Sequence, residues 1–87
     1  MMDVPLLLSS KDFNIIQSAF DHCKEYVIPT RTMDGYSISV SVLEAPTVWG
    51  QPMLIQVKQS KPNVDEIKNC RSVEELRRYL KHESYHD

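Results

Sequence analysis

One spacing in this chain matches a catalytic pattern: His82-Glu83-Ser84-Tyr85-His86 reads H-E-x-x-H. On a helix, histidines four residues apart share a face and can hold zinc, while the glutamate between them serves as general base. Such a site also needs a third protein ligand and a rigid support. In the last six residues of the chain neither is expected, and 83 to 87 reads as a frayed, solvated tail. Metal-dependent hydrolysis through His82, Glu83 and His86 is the remote alternative.

The nucleophiles give less. Cys70 stands beside Arg71 and just before Ser72, where a cation and a helix N-terminus would both lower a thiol pKa. No histidine is placed in sequence to act as its base. Cys23 falls on the apolar stripe of the first helical pattern, where a buried, inert thiol is the ordinary outcome. The serines lack the strained elbow of serine hydrolases. Gly35 and Gly50 are the two glycines of the chain, too few for a phosphate-cradling loop. The reading is a protein that is not an enzyme, with no cofactor and no metal.

The elements that must carry any other function are clearer. Tyr36 to Val42 reads Tyr-Ser-Ile-Ser-Val-Ser-Val, the alternation of a strand buried on one face. Asp34-Gly35 before it is a type I′ hairpin signal, because both central positions of that turn need positive φ. A short strand, Thr30 to Met33, therefore precedes the turn. A third runs from about Pro52 to Gln59, with Met53, Ile55 and Val57 on one side and Leu54, Gln56 and Lys58 on the other.

Ser9 with Asp12 reads as a helix cap, and Leu8 is placed to staple against Phe13. Phe13, Ile16, Phe20, Cys23 and Val27 then form one stripe, with Pro29 ending the helix by about Tyr26 to Ile28. Ser72 with Glu75 is a capping box for a last helix striped by Val73, Leu76 and Leu80. Between 60 and 71 the signal is weak, and Asn63 with Glu66 suggests a single capped turn. The expected fold is α+β: a two-layer α-β-β-β-α domain over 1 to 87, with a three-stranded antiparallel meander and both helices on one face.

Pairing across Asp34-Gly35 sets Met33 opposite Tyr36, Thr32 opposite Ser37, Arg31 opposite Ile38 and Thr30 opposite Ser39. Thr30, Thr32, Ser37, Ser39 and Ser41 then share one face, continued by Gln56. Solvated sheet faces usually carry charge, lysine above all, and this one carries almost none. Short hydroxyl side chains lose little freedom on burial, so such a face suits close approach by another protein. The same register puts Arg31 on the core side, at a cost unless it snorkels. Trp49, in a loop between Pro46 and Pro52, could anchor an interface or cover the end of the core.

Charge is unevenly spread within a net of −2. Residues 1 to 57 hold three cations against six carboxylates, whereas 58 to 82 hold seven cations against four carboxylates. Lys58, Lys61, Lys68, Arg71, Arg77, Arg78 and Lys81 make that second segment the one candidate nucleic-acid surface. The order helix, three strands, helix resembles the double-stranded-RNA-binding domain and the Alu-domain subunits of the signal recognition particle. Leu6, Leu7, Phe13, Phe20, Cys23, Asp34 and Gly35 carry the similarity to the latter. That resemblance implies RNA binding through the basic segment. Where the RNA-binding domain family presents lysines at the start of its second helix, this chain has Ser72-Val73-Glu74-Glu75, whose carboxylates would repel phosphate.

Asp3 and Pro5 interrupt the N-terminal apolar stretch, which is not expected to be a secretory leader, and no stretch is long enough for a membrane span. Two cysteines without an export signal favour reduced thiols in the cytoplasm. The leading expectation is a small protein-binding module, an adaptor, inhibitor or immunity-type protein that covers a partner protein. Homo-oligomerisation through the apolar arm, residues 1 to 8, or through a strand edge is a further expectation.

Overall fold

A computed structural model of the chain describes residues 8–84, with side chains placed for 8–80. In chain order it holds α1 (Ser10–Asp21), β1 (Tyr26–Met33), β2 (Tyr36–Glu44), a 3-10 turn (Thr47–Trp49), β3 (Met53–Lys61), β4 (Val64–Cys70) and α2 (Val73–Ser84). The strands form one antiparallel sheet in the order β1-β2-β3-β4. The class is α+β, but the meander has four strands rather than the expected three. Where a single capped turn was expected around Asn63, Pro62-Asn63 instead turns the chain back into β4, pairing Lys61 with Val64.

The fourth strand escapes a hydrophobicity pattern because its faces are inverted. Register places Glu66 and Lys68 opposite Gln59 and Val57, on the helix side, and puts Ile67 opposite Lys58 on the far side. Charge points toward the helices and isoleucine away. Two bonds make this tolerable: Tyr79 Oη donates to Glu66 at 3.2 Å, and Lys68 Nζ lies 3.8 Å from Glu75. Only Cys70, fully buried, gives β4 a core residue.

α1 begins as its sequence dictates. Asp12 N–H donates to Ser9 Oγ at 3.3 Å and Ser9 N–H returns to the Asp12 carboxylate at 2.8 Å, a complete capping box. Its end comes earlier than Pro29 requires. His22 caps the helix and Cys23 takes φ 55°, with Lys24 N–H bonded to Ala19 O at 2.9 Å and Cys23 N–H to Phe20 O at 3.3 Å. This is a Schellman closure with cysteine at the left-handed position. Tyr26, Val27 and Ile28 are thereby released to pair with Val42, Ser41 and Val40. Cys23 and Val27 are consequently exposed instead of lying in the stripe.

Asp34 (φ 51°) and Gly35 (φ 80°) form the expected hairpin turn, and Met33, Thr32 and Arg31 pair with Tyr36, Ser37 and Ile38. Beyond Arg31 the register shifts: Ile28 opposes Val40, so Pro29 and Thr30 together face Ser39. The simple Thr30–Ser39 pair is replaced by a bulge, which removes proline's missing donor from the ladder. Ser39 Oγ donates to Ile28 O at 3.1 Å within this irregular stretch.

Arg31 does lie on the helix side, and it does not snorkel alone. Its guanidinium clasps the Asp12 carboxylate with both terminal nitrogens, Nη2 reaching Oδ1 at 3.1 Å. That fork, with the Ser9 N–H bond second, holds Asp12 down at about 2. One ion pair thus joins the first helix to the outer strand of the sheet.

The core lies between the sheet and both helices. Phe13, Ile16 and Ala19 of α1 and Val73, Leu76 and Leu80 of α2 meet Ile28, Tyr36, Ile38, Val40, Val42, Met53, Ile55, Val57 and Cys70, with Leu8 included. These strand residues all belong to one face, so both helices cover that face and leave the other uncovered. Among the described residues no helix is long and apolar enough to cross a membrane.

Candidate functional site

Register across all four strands arranges the uncovered face in rows. Thr32, Ser37, Ser60 and Asp65 align in one; Ser39, Lys58 and Ile67 in the next, with Thr30 at the bulge; Val27, Ser41, Gln56 and Asn69 in the third. Thr30, Thr32, Ser37, Ser39, Ser41 and Gln56 are therefore brought onto one surface. A shallow depression of about 370 Å³ crosses it, with Thr30, Ser37, Ser39, Lys58, Ser60 and Ile67 in its lining. Leu43 and Leu54 pair at the end toward the β2–β3 loop, where Leu54 is buried yet outside the main core cluster.

Several polar groups on this face are already bonded to neighbours in their own row. Gln56 Nε2 donates to Asn69 Oδ1 at 3.1 Å and Ser60 Oγ to Asp65 Oδ1 at 2.7 Å. Such pairs fix rotamers before any partner arrives, which reduces the ordering cost of docking. Lys58 supplies the one positive charge of these rows and, among the described residues, has no carboxylate partner. Asp65, Ile67 and Asn69 join the surface only because β4 exists, and Ser60 because β3 runs past the expected end at Gln59. The sequence signal for them was the Pro62-Asn63 turn dipeptide between two runs containing β-branched residues.

Trp49 is half-buried and lies outside the core cluster, so it does not close the core end. Arg71 holds it in place: the guanidinium stacks 4.6 Å from the ring centroid and Nη1 donates to Trp49 O at 2.9 Å. Gln51 Nε2 ties the same corner by donating to Met53 O at 2.6 Å and Arg71 O at 3.0 Å. The loop between β2 and β3 is thus locked onto the junction between β4 and α2.

The basic segment is dispersed by folding. Lys58 lies on the uncovered face, and Lys61 and Lys68 meet Glu66 and Glu75 on the helix side. Arg71 is committed to Trp49, Arg77 stacks 4.2 Å from the Phe13 ring, and Arg78 approaches Glu74 at 4.0 Å. The side chain of Lys81 lies outside the described residues. Carboxylates accompany Lys61, Lys68 and Arg78, which weakens the pull of these three on phosphate.

Cys70 is the reverse of the activated thiol that its sequence neighbours suggested. Burial, with the Glu75 carboxylate acting second, pushes it up to about 11. Arg71 turns to Trp49 instead of the sulfur. Among the described residues no group of three or more His, Cys, Asp and Glu side chains is placed to hold a metal. The side chains of His82 and Glu83, and His86 entirely, lie outside the described residues. His22 is engaged locally, its Nδ1 2.8 Å from Ser18 O.

No family model, curated protein or solved structure matches the chain. Function must therefore be argued from the geometry alone.

Proposed function

We propose that this chain is a small non-enzymatic protein-binding module that covers a partner protein with the uncovered face of its four-stranded sheet. The observation that carries the reading is the composition of that face. Three aligned rows composed mainly of Ser, Thr, Gln and Asn side chains hold one lysine and one carboxylate, Lys58 and Asp65, with Val27 and Ile67 exposed at the two flanks. A monomer's solvated sheet face ordinarily bristles with charge, and a face of short hydroxyls permits backbone-close approach at low entropic cost. Trp49, clamped by Arg71 at one end, offers an aromatic anchor whose position is already paid in full by the loop.

Dispersal of the described basic side chains over the uncovered face, the helix side and α2 speaks against RNA as the partner and supports a protein. Affinity capture from lysate, with and without nuclease, compares the native chain with Ser41→Arg and Trp49→Ala. A protein retained at high salt by the native chain, resistant to nuclease and lost with Ser41→Arg, supports the proposal. Equal retention by all three chains, or loss of all retained material on nuclease treatment, overturns it.

A further inference from the structure

The two edges of the sheet are not alike. β1 carries Pro29 and a bulge, both of which obstruct pairing with another strand. β4 pairs with β3 without interruption from Cys70 to Val64, contains no proline, and among the described residues has no strand neighbour at its outer edge. Ile67 and Val64 on it are 64% and 48% exposed.

β4 carries opposite charges on either side of Ile67, Glu66 before it and Lys68 after it: Val64-Asp65-Glu66-Ile67-Lys68-Asn69-Cys70. From this we infer that the chain forms a symmetric dimer in which β4 pairs antiparallel with β4 of a second copy, centred on Ile67, to make one continuous eight-stranded sheet. A two-fold axis perpendicular to the sheet pairs residues of the same face, so it must pass through a residue position. Centred on Ile67, it sets Glu66 against Lys68 of the second copy, Lys68 against its Glu66, and Asp65 against its Asn69. Ile67 meets Ile67 on the uncovered face. Centred on Glu66 or Lys68, it would oppose like charges at the axis. Opposed charges stabilise cross-strand pairs and like charges destabilise them, so among registers centred on Glu66, Ile67 and Lys68 the charges select Ile67.

The helices fit this arrangement. α2 packs on both β3 and β4, on the face of the sheet that carries Glu66 and Lys68. The flank of α2 that would face its copy carries Glu75 and Tyr79, which already reach Lys68 and Glu66. Each new Glu66–Lys68 pair would extend this into a network running from Lys61 to Glu75 of the second copy. The seam shares Ile67 with the protein-binding face but lies two strands away from Ser39 and Ser41, so Ser41→Arg tests that face without touching the seam.

Sedimentation equilibrium on the full chain tests it. The native chain is expected to reach twice 10.1 kDa with rising concentration. Glu66→Lys and Lys68→Glu, each setting like charges across the seam twice, should each weaken the dimer by about tenfold or more. An equimolar mixture of the two variants restores complementarity at both pairs, so it should form a heterodimer tighter than either variant's homodimer. Ile67→Asp, which changes an exposed side chain, should also dissociate the dimer while circular dichroism shows the monomer folded. A native chain that stays at 10.1 kDa up to its solubility limit overturns the inference. A dimer that survives both charge reversals and Ile67→Asp, or variants that fail to recover on mixing, overturns it as well.

Discussion

The two outer strands of this sheet are held by opposite means. β1 is secured from within: Ile28 is buried at 2% exposure, and Arg31 reaches under the sheet to the capping carboxylate of α1. β4 has a core residue at its end, Cys70, and along the rest of its length is secured by polar links, Tyr79–Glu66 and Lys68–Glu75, while its isoleucine faces solvent. A strand can therefore be permanent in a fold without the apolar alternation that normally announces one. Its neighbour supplies the ladder and the helix above supplies the counter-charges. The outer strand with an apolar anchor is also the one whose edge is obstructed, and the strand with the open edge is the one whose charges would choose a partner.

The sharpest way to break this comparison is to truncate matching isoleucines. Ile28→Ala should cost about 3 kcal/mol in urea unfolding, because it opens a cavity under β1. Ile67→Ala, measured in dilute monomer, should stay within about 0.5 kcal/mol. Comparable losses at both positions would erase the distinction between an anchored and a tethered strand.

The next effect in size is the ion pair of β1. Asp12 is lowered from an ordinary 3.8 to about 2, so its contribution is fully present above the unfolded value and lost as pH falls through the folded one. Asp12→Asn should cost about 1–2 kcal/mol at neutral pH, discounted for the solvent around Arg31. The gap between variant and native chain should close at or below pH 2 in acid unfolding followed by circular dichroism. A gap independent of pH would mean that the carboxylate charge does not hold β1.

Smallest are the two hairpin turns, which lie close to one another. A Cβ at Gly35 would sit 3.8 Å from Pro62 Cγ, an ordinary contact, so Gly35→Ala is strained by its φ of 80° alone. It should cost about 1 kcal/mol in thermal unfolding. Pro62→Ala should cost about 0.5 kcal/mol, chiefly by loosening the unfolded chain. A reversal of that order would place the more demanding turn at the β4 hairpin.

How much of this was legible follows the same division. Asp34-Gly35, the serine-alternating β2 and the Ser9 and Ser72 caps could be read directly, since each rests on residues within a few positions of one another. Glu75 N–H does bond Ser72 Oγ, at 3.1 Å, although the Glu75 carboxylate turns to Arg71 N–H instead of back to Ser72. The end of α1 is not legible because β2 competes for Tyr26 to Ile28, and strand partners such as Val42 and Val40 leave no mark on helical periodicity. Half of the uncovered face was legible through β2 and β3. Its remainder came with β4, whose inverted pattern makes sense only beneath α2.

The sequence alone determined the local choices: which residues cap, which turn takes positive φ, which faces of β2, β3 and the two helices are apolar. Those depend on backbone sterics and on burial periodicity, which a short window contains. Tertiary structure alone decided that Arg31 meets Asp12, that Cys70 is silenced by burial, that the basic segment is scattered and that β4 exists at all. Arg31–Asp12, the burial of Cys70 and the β3–β4 ladder each depend on residues from separate elements, and their energies appear only when folding brings those elements together.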